Sequence, residues 1–358
     1  MPIEGAAGLS GSSGAWSLHP VARFPGLRVL TWSGETLYAS HGYEVLRTTI
    51  DREKIEWQRM GRFRPPFWRM LSSRNRLAYR LVRDGFHALA VLRSGTLIGA
   101  VPGAIITLAA GDSEFRITHQ IVRGTRPLHF ATTPDGRIFF GEYFDNAARH
   151  EVHIYASRDE GKSWQIAYTF PKGTIRHVHN IVYDRWQNCL WTFTGDYGDE
   201  CRILRASCDL RTLDVVMSGN QQARAVAAVP LEDGLYFASD TPREKNHIYC
   251  LSRSGKLDVL SDIESSSIYG CRVAKAVFFS TMIEPSQMNP SRTVRVYGIG
   301  PETPWRSLLE WKKDRWPMRF FQYGNAFLPD GDNATNYLAL TTVAVEGEDC
   351  VTSIFELR

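Results

Sequence analysis

Residues 128–170 read LHFATTPDGRIFFGEYFDNAARHEVHIYASRDEGKSWQIAYTF. Short runs rich in β-branched and aromatic residues (LHFATT, RIFFGEY, VHIYAS and WQIAYTF) alternate with segments carrying Pro, Asp, Gly or Asn. Runs of this kind favour strands and separators of this kind favour hairpins, so the stretch predicts one four-stranded antiparallel sheet.

Outward from that stretch the unit recurs. First strands are predicted to start near Leu27, His87, Leu128, His177, Ala223, Ser267 and Phe321. Steps of roughly 40 to 60 residues suit a four-stranded blade. The expected fold is all-β, a seven-bladed β-propeller forming one domain over residues 1–358, with six blades as the alternative. The last unit lacks a fourth strand. WSLHPVARF at Trp16–Phe24 is expected to supply it, closing the ring and covering an exposed sheet edge. Residues 1–14 are expected to be flexible.

Within the quoted stretch, Ser157 to Trp164 (SRDEGKSW) matches the Asp-box pattern S-x-D-x-G-x-[ST]-W residue for residue. On this motif the chain resembles the Asp-box, or BNR-repeat, sialidase-like propeller superfamily. Degenerate echoes stand at Thr49–Trp57 and Ser207–Asp209. The resemblance implies that Asp159 and Ser157 staple a hairpin on the face opposite the active site, so Asp159 is not expected to be catalytic. It also implies an acidic glycan ligand held by an arginine triad. Arg64-Pro65-Pro66 is the nearest segment to the family's Arg-Ile-Pro, and Tyr323 and Glu284 are the nearest candidates for its Tyr–Glu pair.

A formal net charge of +4 is too small to imply nucleic-acid binding. The start MPIEGAAG lacks the basic and apolar stretches of a signal peptide, and no run is long enough to span a bilayer. Six cysteines without CxxC spacing read as small core residues in a reducing compartment, so a cytoplasmic protein is expected. One segment breaks the period. Residues 62–84 carry seven arginines among apolar residues between blades one and two. They read as a surface insertion, or as a basic amphipathic helix for a membrane or an acidic partner.

In a propeller, the start of each first strand and the end of each second strand open on one face, around the axis. Unusual polar residues gather at both places. First-strand starts carry Arg126, His129, Arg176, His177, His179, Arg224, Gln322 and Tyr323. Second-strand ends carry Glu142, Tyr143, Asp145, Asn146, Asp196, Asp240, Glu244, Asn246 and Glu284. Arg126-x-x-His129 aligns with Arg176-x-x-His179, and Gly141-Glu142-Tyr143 with Gly195-Asp196-Tyr197, which suggests one polar funnel rather than chance surface charge.

Two classes of function follow. A glycan-active enzyme would use Glu142 or Glu284 as acid with Asp196 or Asp240 as base or nucleophile, or, as a lyase, His177 or His179 as base beside Tyr143. Arg126, His129, Arg176, Arg224, Asp240, Asn246, Glu284, Gln322 and Tyr323 would bind its acidic oligosaccharide. His177 and His179 also offer two ligands to a divalent metal ion, although no cofactor is certain. The alternative is a non-catalytic propeller that binds carbohydrate or protein.

Overall fold

Each of the quoted runs becomes a strand, because alternate apolar side chains bury against a neighbouring sheet. The computed structural model describes residues 16–51, 54–300 and 303–358. The expected flexibility of residues 1–14 and part of the echo at Thr49–Trp57 fall outside these.

Seven sheets stand in a ring, antiparallel throughout except for one added strand in blade one. Their inner strands are Arg28–Gly34, Ala88–Val91, Ala131–Thr132, His177–Asp184, Ala225–Pro230, Ser267–Val273 and Asn325–Phe327. The apolar core is not one mass but a wedge between each adjacent pair of blades. Phe139, Ile154 and Phe170 of blade three, for example, pack on Val178, Leu190 and Leu204 of blade four. Equivalent clusters fill the remaining gaps, from blades one and two round to seven and one.

The ring closes as expected. Leu18–Pro25 pairs antiparallel with Val351–Leu357 and becomes the outer strand of blade seven. A second lock comes from Asp330–Asn333, which runs parallel beside Arg28–Gly34 and ties blade seven to blade one.

The Asp-box forms as a local staple. Asp159 accepts from the Ser163 backbone at 2.9 Å and its hydroxyl at 2.6 Å, while the Ser157 hydroxyl donates to Asp159 at 2.8 Å. Gly161 is left-handed (φ +78°), and a β-carbon there would stand 2.3 Å from Ile98 of blade two, so only glycine fits.

Residues 62–84 contain two short helices, α1 (Phe67–Arg74) and α2 (Arg76–Val82). The Asn75 side chain caps α2 by accepting from the Leu77 and Ala78 amides at 3.1 and 3.0 Å. Buried Asp84 holds the pair down, accepting from Tyr43 at 3.1 Å and from Arg69 and Ser72. Among the described residues no helix is long and apolar enough to cross a membrane. All six cysteines are unpaired; Cys189, Cys201 and Cys271 are buried and the other three half-buried.

Candidate functional site

The polar funnel is built where first strands begin. The inner strands of blades one, four, five and six each carry a register shift at this end, at Val29/Thr31, Val178/Asn180, Ala225/Ala228 and Ser267/Tyr269. Such bulges re-aim side chains. In blade four the extra residue is His179. Its Nε2 lies 3.0 Å from that of His177, with both rings buried.

Asp196, at the end of the second strand of the same blade, closes on both imidazoles at 3.3 and 3.5 Å. Tyr143 of blade three lies against His177 with ring centroids 4.4 Å apart. Arg176 pairs with Asp145 and approaches Asp196 at 3.6 Å. Arg224 stands between Asp196 at 3.4 Å and Asp240 at 3.5 Å, and Glu284 accepts from the Ser266 hydroxyl. Blades three to six thus bring His177, His179, Asp196, Tyr143, Arg176, Arg224, Asp240 and Glu284 together. His177, His179 and Asp196 place one ligand atom each within 4.8 Å of one another.

The other expected residues lie elsewhere or are already engaged. Glu142 is gripped by Arg123 and also accepts the His153 amide at 2.8 Å. Asn246 is consumed in pinning its own loop, bonding Ser239, Thr241 and Asn289. His129 pairs with Asp330 at 2.9 Å. Arg126 joins a second group with Arg28, Tyr79, His87 and Tyr269. Gln322 is buried and its backbone N–H donates to the Arg80 carbonyl at 3.0 Å, and Tyr323 lies under Arg83, 5.9 Å from ring centroid to guanidinium.

Burial sets the electrostatics. It pushes His179 down to about 4, against the upward pull of Asp196, so the ring is neutral near pH 7. It raises Tyr143 to about 12 and lowers Arg126, which also feels Arg28, to about 10. Burial also lifts Asp240 well above the usual carboxylate range despite Arg224, and raises Glu284 in the same direction.

A pH dependence follows. The unfolded chain releases the Asp240 proton near pH 4, while the fold retains it to higher pH. Stability contributed by the protonated group is therefore full below about pH 4 and declines as pH rises toward the folded pKa. Asp240→Asn mimics the protonated form. Its urea midpoint is expected to exceed the parent's at pH 8, with the two converging toward pH 4. A lower midpoint at pH 8 would mean that Asp240 is an ionised partner of Arg224.

Sequence reasoning passed over Arg28, although it begins the inner strand of blade one just as Arg126, Arg176 and Arg224 flank theirs. It is buried, 4.1 Å from the Phe327 ring centroid and 3.3 Å from the Tyr79 hydroxyl. The positions of Tyr79 and Arg83 had no periodic signal, because they arrive on the helical insertion.

No family model matches the sequence, and no curated protein matches it. Solved structures do. One is a chain of the crystal structure of a mitotic checkpoint complex, 10% identical, with TM-score 0.55 and coverage of 99% of this chain and 98% of that one. Another is the WD40 β-propeller domain of Doa1, 11% identical, with TM-score 0.56 and coverage of 95% and 97%. One of them is a WD40 propeller and neither is of the sialidase type, which overturns the sialidase-type resemblance drawn from the Asp-box. One hairpin staple reports how a blade is tied, and any four-stranded blade can use it. The expected glycan hydrolase or lyase and its acidic oligosaccharide partner fall with that resemblance. What the likeness shows is the fold, a seven-bladed β-propeller shared across nearly the whole chain.

Proposed function

We propose that this chain is a non-catalytic, protein-binding propeller of a reducing, cytoplasmic setting, and that it docks an acidic, apolar-anchored segment of its partner on the helical insertion. The observation that carries the reading is a ridge of large apolar side chains turned to solvent. Phe67, Trp68, Leu71, Leu81 and Phe320 are 69%, 54%, 54%, 49% and 62% exposed. No residue of α1 is fully buried and its large apolar side chains face solvent, an arrangement soluble proteins rarely leave uncovered. Phe320 belongs beside α2, because the Gln322 amide bonds the Arg80 carbonyl two residues further on.

Charge decides the kind of partner. Arg64, Arg74, Arg76, Arg83, Arg315 and Arg319 lie in the same two segments as these side chains and are all exposed; Arg64, Arg74 and Arg76 also pair with Glu114, Glu44 and Asp349. Aromatic anchors framed by guanidiniums are the composition of interface hot spots, and they complement carboxylates. WD40 propellers also serve as interaction scaffolds in general, which agrees with this reading.

Selection of displayed random peptides against the purified chain tests it. Enrichment of acidic sequences with spaced apolar residues, lost against Phe67→Ala/Trp68→Ala, is expected. No enrichment, or enrichment indifferent to the double variant, would overturn the reading. Binding of vesicles rich in anionic lipid without any peptide enrichment would assign the ridge to a membrane surface instead.

A further inference from the structure

We propose that His177, His179 and Asp196 form a binding site for a divalent transition-metal ion of zinc's class. The His177 Nδ1 lies 2.9 Å from the Phe144 carbonyl oxygen, and the His179 Nδ1 lies 3.1 Å from that of Ala225. A carbonyl oxygen only accepts, so each Nδ1 carries the ring proton. Each ring then turns an Nε2 lone pair inward, held in the tautomer and orientation that metal-binding imidazoles take from their outer partners.

Those lone pairs meet head-on at 3.0 Å, and Asp196 Oδ1 stands 3.3 Å from one and 3.5 Å from the other. Three acceptors facing one another repel unless a cation lies among them. Donors about 2.0–2.1 Å from zinc, set at tetrahedral angles, stand about 3.3 Å apart. The triangle here has that size.

Neighbouring charge does not use up the site. Arg224 and Arg176 reach Asp196 only at 3.4 and 3.6 Å, longer than well-made hydrogen bonds. Asp145 and Asp196 offset the guanidiniums of Arg176 and Arg224 in this network, so it sets no net positive charge against a cation. Buried Asp240 has one carboxylate oxygen without a hydrogen-bond partner beside this network. Two imidazoles with one carboxylate disfavour magnesium and calcium, which prefer all-oxygen sites, and suit zinc with one position left open.

The test is a calorimetric titration of zinc into tag-free full-length protein that has been freed of metal by chelator. One equivalent is expected to bind with a Kd on the order of micromolar or tighter, raising the thermal midpoint by about 5 °C at a hundredfold excess over Kd. His179→Gln and Asp196→Asn should each weaken binding by on the order of 100-fold. Histidine-selective 15N NMR of the unaltered chain should show two Nε2 resonances shifting with zinc, which locates the ion even if a variant fails to fold. A folded parent chain that takes up no zinc, or takes it up with no imidazole resonance moving, would overturn the proposal.

Discussion

Removal of residues 1–25 is expected to lower the thermal midpoint by about 7 °C or more. Leu18–Pro25 makes seven register pairs with Val351–Leu357 and seats Phe24 against Trp57 of blade one, ring centroids 5.6 Å apart. Backbone hydrogen bonds worth about 1 kcal/mol each, added to lost apolar burial, give on the order of 5 kcal/mol or more. For a chain of this size that is about 7 °C or more. A propeller wedges each blade between two others, so opening one seam unsettles the whole ring rather than fraying an end. The bare edge of Val351–Leu357 would also template aggregation. Calorimetry checks this, with a peptide of residues 16–25 added in trans expected to restore part of the loss. A midpoint within 1 °C of the parent's, at roughly under 1 kcal/mol, would show that the closure contributes little.

Arg80→Met is expected to cost about 3 kcal/mol, the second largest effect. Arg80 is 1% exposed and reaches from α2 to Asp314 of the blade six connection and to Asp349 of blade seven, the latter at 3.4 Å. Its removal leaves two carboxylates short of a buried partner. Lys313 remains on Asp314 and Arg76 stays 3.5 Å from Asp349, so the loss falls at the lower end of the range for a broken buried pair. Because the Arg80 side chain ties α2 to both of these carboxylates, the helices should loosen and limited proteolysis within residues 64–84 should accelerate. Unchanged urea and proteolysis profiles would mean that Asp84 alone anchors the insertion.

The fold was legible because its information is local and repeated. Seven inner strands sit within a few residues of their predicted starts, and WSLHPVARF supplies the fourth strand that the last unit lacked. The face carrying the funnel was legible from topology alone. Its finer arrangement was not. Bulges such as the one that makes His179 the extra residue leave no mark in periodicity, yet they bring two imidazoles together. Glu142 and Asn246 read as site residues because charge and amide groups look alike whether they await a ligand or hold a loop. Their partners, Arg123 and Thr241, come from positions that spacing does not link to them. The Asp-box misled in another way: it described a hairpin correctly and a family wrongly. The helical insertion read chiefly as surface cover, and only its placement shows α1 presenting apolar residues outward.

In the proposed function, the exposed apolar side chains of α1 and α2 form a docking surface for an acidic, apolar-anchored protein segment. Its most direct test is the affinity of one selected acidic peptide for the parent chain and for Phe67→Ala/Trp68→Ala, measured at low and high salt. Loss of two exposed aromatic anchors should weaken binding at least tenfold, about 1.4 kcal/mol, and salt should weaken the parent's binding as arginine contacts are screened. Equal affinity for both chains at either salt concentration would contradict it.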